Sequence, residues 1–232
     1  MSDDIHESEE AEEDSHQDES QNEIPQQELK EVDMHDFNFV AYNEDIAILG
    51  SKGSGKSYLA NNLLQNLHGI NVYVWDFNHQ FHDMTKTIEE AGNHTIHCIL
   101  QDYNKEEQQF RKFCKFAFNR GNCVLIIDEV HTYCTKQKII KEYNDLILSG
   151  RPRGVSVISI SSRPASLPNN VLSNASHVFS FKLNLESDCE FLESYMGSEV
   201  WQLMPVDKRK KMRDAQELEK HSFYYRNMDE DS

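Results

Sequence analysis

The chain has 232 residues, 40 Asp or Glu against 23 Lys or Arg, and a formal net charge of −17 at pH 7. With 38% apolar residues, 12 Phe and 9 Tyr, it can bury the core of one ordinary domain. The acidic balance argues against a broadly basic nucleic-acid-binding surface, and no stretch approaches the roughly 18–20 apolar residues of a membrane span.

The acidity is concentrated at the start. Residues 1–33 carry 14 acidic residues and one lysine, Lys30, so the remainder holds only −4 of the total. This segment has almost no apolar residues and cannot offset its chain entropy by burial, so residues 1–35 read as a disordered acidic tail. A solubility role is the plainer reading. A tether for a basic partner, or a mimic of DNA, is the sharper one. Residues 36–228 read as the folded domain and 229–232 as a short acidic end. The acidic start is unlike a signal peptide. Cys98, Cys114, Cys123, Cys134 and Cys189 show no CxxC spacing and read as reduced, structural thiols. A soluble cytoplasmic protein without a membrane anchor is expected.

Within the domain, short apolar runs alternate with helical patterns. Asp45–Leu49 reads as a buried strand, followed by a glycine-rich turn and a helix over Ser57–Leu67. Asn71–Phe77 and Thr95–Leu100 read as strands. Lys105–Asn119 reads as an amphipathic helix with Phe110, Phe113, Phe116 and Ala117 on one face. Cys123–Ile127 is the most apolar strand, Ile139–Leu148 a helix, and Val155–Ile160 another strand. Val178–Leu183 and Ser222–Tyr225 complete the series. Continuous apolar strands separated by helices predict an α/β fold with a mostly parallel central sheet covered by helices on both faces.

The run Gly50-Ser51-Lys52-Gly53-Ser54-Gly55-Lys56-Ser57 matches GxxxxGK[ST] at every fixed position, between a strand and a helix. Glycines let the backbone turn its N–H groups around a polyphosphate, and the helix that starts there adds its positive end. Lys56 is placed for the β- and γ-phosphates and Ser57 for Mg²⁺, with Tyr58 extending the nucleotide contact. The strand Cys123–Ile127 ends in Asp128-Glu129. Asp128 suits a Mg²⁺ contact, and Glu129 suits a general base that deprotonates the attacking water. The alternative for Glu129 is a surface acid. Two further strands lie between the phosphate loop and Asp128, so the lysine and the aspartate do not fall on sequence-adjacent strands. That layout suits hydrolytic ATPases rather than kinases and GTPases.

After Val155–Ile160 comes Ser161-Ser162-Arg163-Pro164. Ser162 is the candidate γ-phosphate sensor, or else a capping serine. Arg151 and Arg153, in Gly150-Arg-Pro-Arg-Gly154, are candidate arginine fingers in trans or solvated turn charges, with Arg163 behind them. Asp76 reads as a cap for the loop that follows it. The pairs His79/His82 and His94/His97 lack a completing ligand set and read as non-metal. Lys208–Arg213 is the one dense basic cluster, either a DNA-phosphate contact or a solvated helix face.

The run from Gly150 to Ala175 (GRPRGVSVISISSRPASLPNNVLSNA) resembles the FtsK–HerA superfamily of DNA-pumping ATPases. The spelling GSKGSGKS and the compact size resemble its viral genome-packaging branch. The resemblance covers roughly Asn43 to Leu183, and more loosely reaches Tyr225. It implies a RecA-like domain, ATP and Mg²⁺ as cofactors, and a homo-oligomeric ring, usually a hexamer, that moves double-stranded DNA. It further implies a viral capsid or portal-vertex partner and a place in the host cytoplasm or the virion. Lys56, Ser57, Asp128 and Glu129 match the family pattern. Ser162 stands where the family usually has glutamine. The rival expectations are an ATPase acting on protein and a nucleotide-gated assembly factor.

Overall fold

The computed structural model describes residues 42–64, 67, 69–79, 81, 95–99, 103–213 and 221–229. The expected tail over residues 1–35, His82 and His94 therefore lie outside the described residues. Seven strands form one sheet: β1 (Ile46–Leu49), β2 (Asn71–Asp76), β3 (Thr95–Ile99), β4 (Cys123–Ile127), β5 (Val155–Ser161), β6 (His177–Phe181) and β7 (Phe223–Asn227). Their order across the sheet is β3-β2-β4-β5-β1-β6-β7. All the pairings are parallel except β6 with β7. Helices α1 (Lys56–Leu64), α2 (Glu106–Arg120), α3 (Lys141–Ser149), α4 (Asn169–Ser173) and α5 (Glu186–Met196) flank it.

Alternation explains why the strands read as unbroken apolar runs. Successive side chains of one strand enter different cores. Ala47, Leu49, Tyr73, Trp75, Leu125, Ile127 and Val157 join the core that takes Phe110, Phe113 and Ala117 of α2 and Tyr143 of α3. Ile46, Ile48, Val72, Val74, Ile126, Ile158 and Phe179 join the opposite core with Leu59, Ala60 and Leu63 of α1. Both faces of β4 are buried, so none of its five residues is polar.

Element boundaries move by one to three residues from the sequence reading, and one side chain moves to another face. Phe116 is 46% exposed and meets Tyr73 edge-on at 5.2 Å. At about 100° per residue it lies roughly 90° from the centre of the stripe set by Phe110, Phe113 and Ala117, so it falls outside their buried face. The fold also adds α4 and α5, for which the sequence reading had no strong pattern. Cys114, Cys123, Cys134 and Cys189 are buried free thiols. Among the described residues no helix is long and apolar enough to cross a membrane.

Half of the basic run Lys208–Arg213 is turned inward or paired with acids. Arg209 is 2% exposed, and its guanidinium donates to the carbonyls of Met204 (2.6 Å), Met212 (3.1 Å) and Gln202 (3.0 Å). Lys210 pairs with Glu190 and Glu186 at 2.8 and 3.1 Å, and Lys211 with Glu193 at 2.7 Å. All three acids belong to α5, so the run ties the chain after α5 back onto that helix. Arg209→Ala would leave three carbonyls without their donor and is expected to cost about 3 kcal/mol or more. Lys210→Ala and Lys211→Ala, which break exposed pairs, are expected to leave the urea midpoint nearly unmoved. Urea unfolding of the three variants checks this.

Candidate active site

The loop after β1 is stitched to both neighbouring strands. Gly50 donates its N–H to Ser161 O at the end of β5 (3.2 Å), and Ser51 donates to Lys182 O after β6 (2.7 Å). Gly50 adopts φ +142°, and a Cβ there would lie 2.7 Å from Phe181 Cβ, so only glycine fits. The loop closes on itself where Lys56 Nζ donates to Ser51 O at 2.9 Å. Lys56 opens α1, whose N-terminal end therefore faces the same space. Burial holds the Lys56 ammonium below its usual pKa, against the opposing pull of Glu129 and then Asp128.

The two acids arrive from β4. Because β5 lies between β4 and β1, the acids and the loop meet across one intervening strand, as the sequence spacing implied. Asp128 is 2% exposed and anchors its N–H on Trp75 O at 3.0 Å, continuing the pairing of β4 with β2. Its Oδ2 accepts from Asn78 Nδ2 at 3.3 Å. Burial first, then the negative charges of Glu129 and Asp76, push its pKa up to about 7 against the Asn78 bond and Lys56. Asp76 performs the capping role read from sequence, its Oδ2 accepting the Phe81 N–H at 3.0 Å.

Glu129 sits in the left-handed region, φ 48° and ψ 46°, and opens the short 3-10 turn Val130–Thr132. A non-glycine residue held there marks a position over-determined by its surroundings. Its Oε2 accepts from both the N–H and the Oγ of Ser162, at 3.1 and 2.9 Å. His131 Nδ1 lies 3.2 Å from the same oxygen and 3.1 Å from Ser161 Oγ. Burial lowers the His131 pKa, against the opposing pull of Glu129. Ser161 Oγ in turn accepts the Arg163 N–H at 3.1 Å. The tip of β5 thus grips the glutamate at the tip of β4.

Lys52, Gly53, Gly55, Lys56, Ser57, Tyr58, Asp128 and Glu129 line one cavity of about 330 Å³. Gly50, Ser51 and Ser54 form the body of the loop, and Ser162 reaches the cavity through Glu129. Ser54 Oγ is buried with no hydrogen-bond partner. His221 completes the lining. It carries no sequence motif, and neither do Asn78 and His131. The nearest signal is the position of His131, two residues after Glu129.

Arg151 and Arg153 precede β5, so they lie at the edge of the sheet opposite the cavity. Arg151 Nη2 donates to Asn174 O at 2.9 Å and to Ser176 Oγ at 2.5 Å, with Nε 3.5 Å from Asp45 Oδ2. The Arg153 guanidinium stacks over Phe118 at 4.3 Å. Arg151 braces the starts of β1, β5 and β6, whereas Arg153 is exposed. Of the two histidine pairs, His79 is exposed. Among the described residues no group of three His, Cys, Asp or Glu could hold a metal.

A family model for the ATPase family associated with various cellular activities (AAA) matches residues 46–183. The chain belongs to that family. No curated protein sequence matches it. Among solved structures, it is similar to the genome packaging NTPase B204 from Sulfolobus turreted icosahedral virus 2 in complex with AMP. That match is at 18% identity and TM-score 0.59, covering 82% of this chain and 94% of that one. The ATP-gammaS complex of the same NTPase matches at 18% identity and TM-score 0.57, over 82% and 95%. B204 described as the DNA-packaging ATPase from Sulfolobus turreted icosahedral virus matches at 19% identity and TM-score 0.56, over 83% and 96%. At these identities the likeness is one of fold, a helix-flanked, mostly parallel sheet of the RecA-like kind.

Charge crowding at Asp128 gives a stability test. Its pKa rises from 3.8 unfolded to about 7 folded, so the folded state loses stability as pH rises from about 4 to about 7 and carries the full penalty above that. Asp128→Asn is expected to raise the stability of the nucleotide-free protein at pH 8 by about 1–3 kcal/mol. The gain should shrink toward zero as pH falls to about 4, read from urea unfolding at each pH.

Proposed function

We propose that this protein is an ATP-hydrolysing motor of the FtsK–HerA superfamily. It moves double-stranded DNA and packages a viral genome into a capsid. The observation that carries the hydrolytic part is the single cavity shared by Lys56, Ser57, Asp128 and Glu129. Its volume falls in the range of small-molecule sites, and its walls supply the donors and acids that a nucleoside triphosphate needs.

The residues fit ATP and Mg²⁺. The Gly50–Ser57 backbone and the α1 N-terminus offer N–H groups to the phosphates. Lys56 exchanges its bond to Ser51 O for phosphate oxygens. Ser57 and Asp128 would hold Mg²⁺, which neutralises charge on the terminal phosphates. A site with one carboxylate and one hydroxyl needs phosphate oxygens and water to fill its shell. Glu129 orients the attacking water and takes its proton. The described bonds to Glu129 all fall on Oε2, which leaves Oε1 for that proton. Ser162 serves as a positioning residue for Glu129, in the place where the family usually has glutamine.

The motor part rests on the Gly150–Ala175 resemblance and on the fold shared with B204. It assigns the ATPase domain to residues 36–228, flanked by the acidic tail over 1–35 and the short acidic end at 229–232. It assigns the protein to the host cytoplasm or the virion, with a capsid or portal-vertex partner. In a hexameric ring the active sites lie between subunits. The arginines at the far edge of the sheet then face a neighbour, and the exposed Arg153 suits a finger in trans better than the braced Arg151. One observation favours a protein substrate instead: within the basic run Lys208–Arg213, Arg209 is buried and Lys210 and Lys211 pair with acids of α5, which reduces the positive charge offered to DNA.

ATP turnover at low salt, with and without double-stranded DNA, separates these readings. Glu129→Gln is expected to lower turnover at least about 100-fold while ATP still binds. DNA stimulation of the wild type supports translocation. A rate indifferent to DNA moves the substrate to protein, and wild-type turnover equal to that of Glu129→Gln would leave a nucleotide-gated binding protein.

A further inference from the structure

β7 is antiparallel to β6, with Phe181 opposite Phe223. A parallel strand brings its carboxyl end to the phosphate-loop edge of the sheet, whereas β7 brings its beginning there. The two residues ahead of it, His221 and Ser222, therefore arrive beside the loop. His221 Nδ1 lies 3.1 Å from Ser54 O. A carbonyl only accepts, so Nδ1 carries the hydrogen and the ring edge is pinned to the loop. The other edge and the ring faces are not used by that bond, and the residue is exposed and lines the cavity. A Cβ on Gly55 would lie 3.6 Å from His221 Nδ1, an ordinary contact distance, which places the ring directly beside the loop.

Direction along the nucleotide follows from the sheet order. The acids Asp128 and Glu129 come from β4, on one side of β1, and mark the γ-phosphate end. His221 comes from the lead-in to β7, on the other side of β1. A triphosphate with its γ end at the acids leaves its nucleoside on the His221 side. Tyr58, two residues past Lys56, is 51% exposed and lines the same cavity. Such exposure of a large aromatic side chain beside the loop suits a ring that stacks on a ligand rather than one that fills a core.

We propose that His221, together with Tyr58, forms the seat for the base and ribose of the bound nucleotide. This rests on the phosphate-loop reading above and assigns the nucleoside end that the motif leaves open. Aromatic stacking tolerates any base, so the seat supplies affinity for nucleosides as a class.

Calorimetric binding of two probes in the presence of Mg²⁺, ATP and inorganic tripolyphosphate, tests the seat in the full-length wild type, His221→Ala, Tyr58→Ala and Lys56→Ala. His221→Ala and Tyr58→Ala are each expected to weaken ATP by at least about five-fold and to leave tripolyphosphate unchanged, while Lys56→Ala weakens both. If His221→Ala weakens both probes equally, the residue only braces Ser54 and the proposal is overturned. It is also overturned if neither probe is affected. A wild type that binds neither probe would instead refute the phosphate-loop reading itself.

Discussion

Two neighbouring carboxylates are held against one buried ammonium at the end of β4, and the architecture around them serves that placement. Asp128 and Glu129 repel each other, and burial alone would favour protonating one of them. Lys56, held on the loop after β1 by its bond to Ser51 O, offsets part of that charge through space. The strand order fixes that separation. With β5 between β1 and β4, the acids and the loop face each other across a cleft with room for phosphate.

The same constraint explains the hydrogen bonds at the tip of β5. A glutamate beside a second acid would otherwise swing toward solvent. Ser162 holds one of its oxygens through both backbone and hydroxyl, and His131 Nδ1 lies 3.2 Å from the same oxygen. Serine is a short side chain for this task, and the backbone N–H of the same residue supplies one of the bonds.

Much of this was legible in the sequence. The phosphate loop is spelled by glycines whose role is local, as at Gly50 against Phe181. β4 announces itself because both its faces are buried. The apolar run Val155–Ile160 located the strand beside it. What escaped the sequence depends on chain reversal or long-range pairing. His221 reaches the cavity only because β7 runs antiparallel after more than 160 intervening residues. Arg209 looked like part of a basic face, yet it satisfies three carbonyls of one compact turn region. Arg151 looked solvent-facing and instead braces Asp45, Asn174 and Ser176. Phe116 was assigned to the buried face by composition, where a helical wheel places it outside. In each case the residue type was visible and its partner was not.

The central claim is that this cleft binds a divalent cation and a nucleotide together, because Ser57 and Asp128 alone cannot complete a metal shell. Electron paramagnetic resonance with Mn²⁺ in place of Mg²⁺ tests it directly. The account predicts bound Mn²⁺ in the wild type only when a non-hydrolysed ATP analogue is present, and its loss in Asp128→Ala. Tight Mn²⁺ binding without nucleotide, or binding by Asp128→Ala as strong as the wild type's, would contradict it.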